Sequence, residues 1–167
     1  MNLITGIEST DLFGGEVPAG VLQLLERTRR GSDDDVAAAL WTAILSYPRC
    51  LPPYYLLYKF HANRGELGEA HRVATRALAV AAWEASISSD WCAVQPDDAD
   101  FSIPGPARFW LFTLKALAFI SVRRGERALA LKLIAKLRWL DPIDCIGFEV
   151  VEALLAQSEH GNRKLTN

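Results

Sequence analysis

Several features that would assign this chain to a chemical class are scarce. Among its 167 residues there are only three cysteines, Cys50, Cys92 and Cys145, and they lie far apart. An odd number at such spacing indicates neither a disulfide framework nor a Cys-x-x-Cys metal pair. We therefore interpret the thiols as small packing residues. The formal net charge is only −2, so the chain as a whole has no electrostatic attraction to nucleic acid.

Targeting and membrane signals are missing as well. The opening MNLITGIESTDLFGG carries Glu8 and Asp11 where a secretory signal would have basic residues, and it has no sustained apolar core. We interpret residues 1–16 as a loose N-terminal arm of a cytoplasmic protein. The most apolar stretch, 109–123, is too short to cross a bilayer, and we expect no membrane partner.

Catalytic motifs are absent: there is no Gly-rich phosphate loop, no HExxH, no GxSxG and no paired-carboxylate constellation. The run Asp33 to Asp35 is better explained by favourable interaction with a helix N-terminus than by a metal. His61 and His71 have no Asp or Cys at ligand spacing. We expect no enzyme activity, cofactor or metal, although an enzyme with an unrecognised site is an alternative.

What the chain does contain is a helical pattern centred on residues 109–144. Residues 109–123 are apolar almost all round, and from Glu126 to Leu140 apolar residues recur at three- and four-residue spacings. Gly125 is suited to end the first helix, and Pro142 to stop the second. The pattern predicts a helical hairpin, with Lys136 among the polar residues around the second helix.

The same punctuation recurs upstream. The arginine-glycine pairs 30–31, 64–65 and 124–125 are separated by 34 and then 60 residues. Five residues after each glycine stands a small or slim residue, Val36, Ala70 or Ala130. Pro48 and Pro142 close the outer units at one offset, where the middle unit has Ala82. This period predicts three hairpins whose paired helices approach closely at the small residues.

A 34-residue helix-turn-helix period with these features resembles the tetratricopeptide repeat (TPR) family. The first-helix signature sites hold three sets of residues: Gln23, Leu24 and Arg27; Leu57, Tyr58 and His61; Leu117, Ala118 and Ser121. The family's usual tryptophan is replaced by Gly20, Tyr54 and Leu114. The resemblance implies an all-α, right-handed superhelix of three hairpins with repeats at 17–50, 51–84 and 111–144. A capping helix is expected at 145–158 and a polar tail at 159–167.

Residues 85–110 would be an insertion between hairpins two and three. They contain four aspartates and two aromatics that look exposed, Trp91 and Phe101. The next hairpin is basic, with eight lysines and arginines and one acid from Arg108 to Arg138. Either the insertion packs back on this basic neighbour, or the two surfaces form a cleft in which the insertion competes with a partner.

The TPR resemblance also implies where a partner would bind, because first helices in that family line a concave groove. Carried over site by site, the lining is Val21, Leu25, Tyr55, Lys59, Asn63, Phe112, Lys115, Phe119 and Arg123. Three of these are cationic and none is acidic, so we expect a protein partner with an apolar segment flanked by acids. Leu25 and Phe119 replace polar clamp residues, which argues against binding of chaperone C-termini.

Within the family, YLLYKFHANRGELGEA and PARFWLFTLKALAFISVRRGE, separated by an insertion containing DW, resemble small bacterial TPR proteins encoded among nitrogen-fixation genes. That resemblance implies a non-catalytic scaffold that assists nitrogenase assembly. The alternative is a type III secretion chaperone of the TPR class. A nucleic-acid reader built on the basic helix and Trp139 is less favoured than a solvated basic face.

Overall fold

Helices make up most of the chain. The computed structural model describes residues 17–28 and 31–164, so the predicted arm at 1–16 lies outside the described part. Within these ranges there are seven α-helices and no strand, which confirms the all-α prediction. The helices are α1 Ala19–Thr28, α2 Asp33–Ser46, α3 Leu51–Asn63, α4 Leu67–Glu84, α5 Pro106–Arg123, α6 Arg127–Leu140 and α7 Glu149–Lys164.

Each helix from α1 to α6 packs against the helix that follows it, and α7 packs on both α5 and α6. The helices α3 and α5 also touch, although α4 lies between them in sequence. Trp110, Tyr54 and Phe109 are the largest side chains with almost no exposed surface. No described helix is long and apolar enough to cross a membrane.

Two of the three predicted glycine turns have the same geometry. Gly65 and Gly125 have φ values of +76° and +74°, which is the left-handed conformation that favours glycine at a helix end. In each turn the amide one residue later donates to a carbonyl five residues back, from Glu66 to His61 and from Glu126 to Ser121, both at 2.9 Å. The α3–α4 and α5–α6 hairpins are therefore closed by the same turn.

The first junction is built differently, because Gly31 is not in the left-handed region. Here α2 begins with a capping box: the Ser32 hydroxyl accepts from the Asp35 amide, and the Asp35 carboxylate accepts from the Ser32 amide at 2.9 Å. Hydrogen bonding from Ser32 lowers the pKa of Asp35. The interpretation of the acids at 33–35 as a helix start is confirmed.

The ends of α2 and α6 differ from the end of α4, as the prolines at 48 and 142 predicted. Tyr47 and Asp141 end α2 and α6 with nearly identical dihedrals, φ −134° and ψ 69° against φ −133° and ψ 68°. Each precedes a proline, which cannot continue the helix. In α4 the corresponding Ala82 is helical, and the helix runs on to Glu84 before Ser86 turns with a φ of +57°.

The small residues lie where helices meet. Ala70 and Ala130 are fully buried, and Val36 is 4% exposed. The prediction that all three cysteines are packing residues is only partly correct. Cys50 is half-buried, but Cys92 and Cys145 are exposed, so these two are not packing residues.

The segment 85–105 is irregular apart from a 3₁₀ turn at Pro96–Asp98. The expectation that Phe101 is exposed is wrong: Phe101 is 7% exposed and its ring lies 5.8 Å from that of Trp110. The surface position of Lys136 is also wrong, because it is 7% exposed and its Nζ donates to the carbonyls of Cys92 and Val94 at 2.9 and 2.6 Å. The segment therefore contributes Val94 and Phe101 to the core and is held on α6.

Two helix boundaries differ from the sequence predictions. Helix α5 begins at Pro106 rather than at Phe109, because a proline is well tolerated in a first helical turn. Helix α7 begins at Glu149 and continues to Lys164, beyond the predicted capping helix at 145–158 and into the predicted polar tail. The phenyl ring of Phe148 and the side chains of Val151 and Leu155 are buried, as expected of a cap.

Candidate interaction surface

The face formed by α3 and α5 carries most of the predicted groove residues. Five of them are half-buried and two are exposed; the half-buried ones are Tyr55, Lys59, Phe112, Lys115 and Phe119, and the exposed ones are Asn63 and Arg123. On each helix they recur at three- and four-residue spacings, which places them along one side. We call these seven residues the α3–α5 face.

The α3 part of this face is ordered by aromatic contacts. The Tyr55 and Tyr58 rings meet edge to face at 5.6 Å, while Lys59 lies 5.0 Å from the Tyr55 ring and donates to its hydroxyl at 3.2 Å. Burial raises the pKa of the Tyr58 phenol, whose hydroxyl bonds with Thr113 of α5. The half-buried side chains on α3 thus lie next to a buried hydrogen bond that joins α3 to α5.

On α5, cations lie against both phenylalanines. The guanidinium groups of Arg108 and Arg123 lie 5.7 Å from the rings of Phe112 and Phe119, respectively, within the range of a cation–π contact. Arg123 also donates to the Ala62 carbonyl at 2.9 Å. The Ala62 carbonyl, in the last turn of α3, also accepts from the Gly65 amide at 3.2 Å, so Arg123 joins α5 to the end of α3.

Lys115 is less available than its sequence position implies. Its Nζ donates to the Ile146 carbonyl, in the loop before α7. Burial lowers the pKa of Lys115. All three predicted groove cations therefore make internal contacts, and a partner has to add to these contacts or replace them.

The predicted contribution of α1 to the groove is wrong. Val21 and Leu25 are 0% and 4% exposed, and they belong to the core. Four residues separate α1 from α2, whereas three separate α3 from α4, so a register counted from the glycine places the first helix one residue off. Counted from the helix ends instead, Tyr55 and Lys59 lie eight and four residues before Asn63, and the residues at those distances before Thr28 are Gly20 and Leu24, which are half-buried.

In this register the α1 end of the surface has neither an aromatic ring nor a charge at the two positions. The extra residue lies before the glycine, because two residues separate Thr28 from Gly31 and one residue separates Asn63 from Gly65. A period counted between the glycines does not reveal an insertion on the helix side of the glycine.

The segment 85–105 does not act as an internal competitor at the α3–α5 face. Its carbonyls at Cys92 and Val94 bind Lys136 on α6, and Phe101 packs on Trp110. Its acids accept bonds from their own turns: Asp98 from the Gln95 amide at 2.8 Å and Asp100 from the Ser102 amide at 2.9 Å. The segment packs back on its basic neighbour, as the simpler of the two sequence interpretations proposed.

Several of the titratable groups proposed as catalytic or metal candidates have structural partners. The Nδ1 of His61 lies 2.6 Å from Glu66, which also pairs with Arg64 at 2.8 Å. Hydrogen bonds from Arg64 and His61 lower the pKa of Glu66. Asp33 pairs with Arg64. Residues 17–28 and 31–164 contain no group of three or more His, Cys, Asp or Glu side chains arranged to hold a metal ion.

Comparisons with other proteins add no family to these observations. The TPR resemblance rests on the chain's own residues and spacing. A resemblance in fold does not by itself imply a function, which depends on the residues of the site. The chain matches no protein-family model, no curated protein and no solved structure.

Proposed function

We propose that this chain is a non-catalytic protein-interaction module of the TPR type. In this proposal the helices form a right-handed stack of three hairpins with α7 as the cap and residues 85–105 as an acidic insertion. Support comes from the identical turns at Gly65 and Gly125 and from the burial of Ala70 and Ala130 at equivalent positions. A stack of such hairpins presents its first helices on one side, where partners bind.

The observation that carries the binding proposal is the row of half-exposed aromatic side chains on α3 and α5. Tyr55, Phe112 and Phe119 all contact the core with one part of the ring and solvent with another. Aromatic residues contribute large contact areas at protein interfaces and are enriched among the residues that dominate binding energy. The partner is a protein segment that buries apolar side chains against them.

The charges on this face favour a segment with acidic flanks. Lys59 and Arg123 flank the aromatic row. Each donates one hydrogen bond here, and an ammonium or guanidinium group has further N–H donors that a carboxylate can accept from. The acidic flank of the partner therefore belongs beside α3 and α5.

Capture of binding proteins from source-cell extract, followed by titration of the recovered partner, tests this proposal. Phe119→Glu is expected to weaken binding about fivefold to thirtyfold, since it removes an apolar anchor worth about 1–2 kcal/mol. Leu131→Glu, which introduces the same charge on α6 at a site 45% exposed, is the matched control. Equal affinity for both folded variants would place the partner elsewhere.

The identity of the captured protein tests the pathway implied by the resemblance. A nitrogenase subunit or assembly factor would support the accessory role in nitrogenase assembly. A secreted subunit would instead support the type III secretion chaperone.

A further inference from the structure

An open cleft of about 480 Å³ lies where the segment 85–105 meets the loop between α6 and α7. Phe101 and Leu140 form the apolar part of its wall, and Ile143 stands on its rim. Ile143 is 84% exposed, and Ile103, which follows the lining residue Ser102 in the chain, is 56% exposed. The Ile143 side chain at the rim therefore leaves apolar surface that the fold does not cover.

The cleft is surrounded by negative charge. Asp97 and Asp100 line it from the segment and Asp141 lines it from the loop. The two stretches that build it, 85–107 and 139–151, contain seven acidic residues and no lysine or arginine. Low-dielectric walls lined by one sign of charge attract the opposite sign.

The carboxylates are held in place by local hydrogen bonds. Asp141, which is 7% exposed, accepts from the Ile146 amide at 3.1 Å, and Asp100 accepts from the Ser102 amide and hydroxyl. Arg108, on the adjoining helix, directs its guanidinium to the Ser102 carbonyl and the Phe112 ring. The charge of Arg108 also acts on the Cys145 thiol in the cleft wall, against the effect of Asp141, but three lining carboxylates outnumber this one cation. Because Asp100 and Asp141 are held in place, the cleft is preformed, which lowers the entropic cost of binding.

We propose that this cleft binds a segment of a partner protein in which apolar side chains are flanked by lysine or arginine. The apolar side chains would contact Ile143 and Phe101, and the flanking cations would lie beside Asp97 and Asp100. The proposal is independent of the α3–α5 face, because that face carries the opposite charge and is built from other residues. One chain would thus hold two different segments.

A short synthetic peptide is the probe: acetyl-Lys-Lys-Leu-Leu-Lys-Lys-amide, titrated into the full chain by calorimetry. We expect saturable binding with one peptide per chain. The same peptide with serine in place of lysine should bind at least tenfold more weakly; serine is used because an acidic peptide is the ligand proposed for the α3–α5 face. Equal binding of the two peptides, or no saturable binding of the lysine peptide, would overturn the proposal.

The exposed thiols report where the peptide binds. Cys145 lines the cleft, whereas Cys92 is exposed but outside it. The nearby Asp141 raises the pKa of the Cys145 thiol, so alkylation is measured at alkaline pH, where enough thiolate forms. Bound peptide is expected to slow alkylation of Cys145 and leave Cys92 unchanged. Equal slowing, or none, would place the peptide elsewhere.

Two substitutions test the apolar and the acidic contacts separately. Ile143→Ser is expected to weaken peptide binding about fivefold to tenfold, and Asp97→Asn up to about fivefold. Their matched controls are Val150→Ser, at a site 63% exposed, and Asp34→Asn on α2. All four sites are exposed, so each variant is expected to fold. Unchanged affinity in both cleft variants would overturn the proposal.

Sedimentation of the full chain without peptide tests the other occupant, a second copy. A monomer is the expected result. A dimer that Ile143→Ser dissociates would show that this chain fills the cleft itself, and the proposal of a basic partner would then be wrong.

Discussion

Lys136 shows how one side chain can decide the position of a whole segment. Its ammonium group is buried beneath the irregular segment and donates to the carbonyls of Cys92 and Val94. Burial lowers the pKa of Lys136, because a desolvated charge is costly. The two carbonyls offset that cost, and the Trp139 ring, 4.5 Å from the Nζ, adds a cation–π contact.

Replacing Lys136 with methionine is expected to destabilise the protein by about 1–3 kcal/mol, because it leaves the buried carbonyl of Val94 and the part-buried carbonyl of Cys92 without their donor. Segment 85–105 should become more sensitive to limited proteolysis. Lys132→Met is the control, since Lys132 is exposed on the same helix. If both variants unfold at the same urea concentration, Lys136 does not hold the segment.

His71 on α4 gives a prediction about pH. Burial, followed by the nearby Arg124, lowers its pKa, while Glu126 acts in the opposite sense. The unfolded chain therefore takes up a proton at higher pH than the native chain does, so this contribution is complete above the unfolded pKa of about 6.5 and is lost as the pH falls.

Between about pH 7.5 and about pH 5.5, the Tm of the wild type is expected to fall more than the Tm of His71→Gln, which cannot take up this proton. Thermal melts followed by circular dichroism at both pH values provide the comparison. Groups other than His71 contribute equally to both proteins, so parallel shifts would show that the environment of His71 does not change on folding.

Among the helical elements, the repeated turn between paired helices is the most local feature of the fold. Gly65 and Gly125 adopt almost the same left-handed conformation in two hairpins whose sequences differ at most positions. A residue with a Cβ is strained in that conformation whatever space surrounds it. Gly68 is the useful contrast, because it is helical and a Cβ there would meet nothing within 4 Å.

Gly125→Ala is expected to destabilise the protein by about 1 kcal/mol, and Gly68→Ala to stabilise it by up to about 1 kcal/mol. Chemical denaturation of both variants measures the two changes against the wild type. The two variants are expected to change the free energy of unfolding in opposite directions. A stabilising Gly125→Ala would mean that the turn does not need the left-handed conformation.

Considered as a whole molecule, the stack depends on its ends being covered. Helix α7 packs across α5 and α6 at the C-terminal end, and Val151 is 1% exposed there while its neighbour Val150 is 63% exposed. Fully burying a valine contributes roughly 1.5–3 kcal/mol. That is a large share of a total stability of about 5–15 kcal/mol for an ordinary domain.

Val151→Ala is expected to lower the free energy of unfolding by about 1–2 kcal/mol, because two methyl groups leave a packed contact. Val150→Ala should change it by less than about 0.5 kcal/mol. Urea unfolding followed by circular dichroism, which should report a mainly helical protein, gives both values. Similar values for the two neighbours would mean that α7 is not docked in solution.

The sequence alone determined what depends on residues close together in the chain. The glycine turns at 65 and 125, the capping box at Ser32 and the stops before Pro48 and Pro142 are all set within a few residues, because caps and turns are local hydrogen-bonding events. Amphipathic spacing likewise determined the helices. The residues of the α3–α5 face were expected from the TPR resemblance, and the same spacing places those of each helix along one side.

Only the tertiary structure decided which polar and aromatic groups are buried. Val21 and Leu25 are in the core because one extra residue between α1 and α2 rotates α1 by about 100° relative to the predicted register. Lys136 and Phe101 are buried because a segment more than thirty residues upstream of Lys136 folds back onto α6. Such contacts depend on how distant parts of the chain meet, and local periodicity carries no information about that.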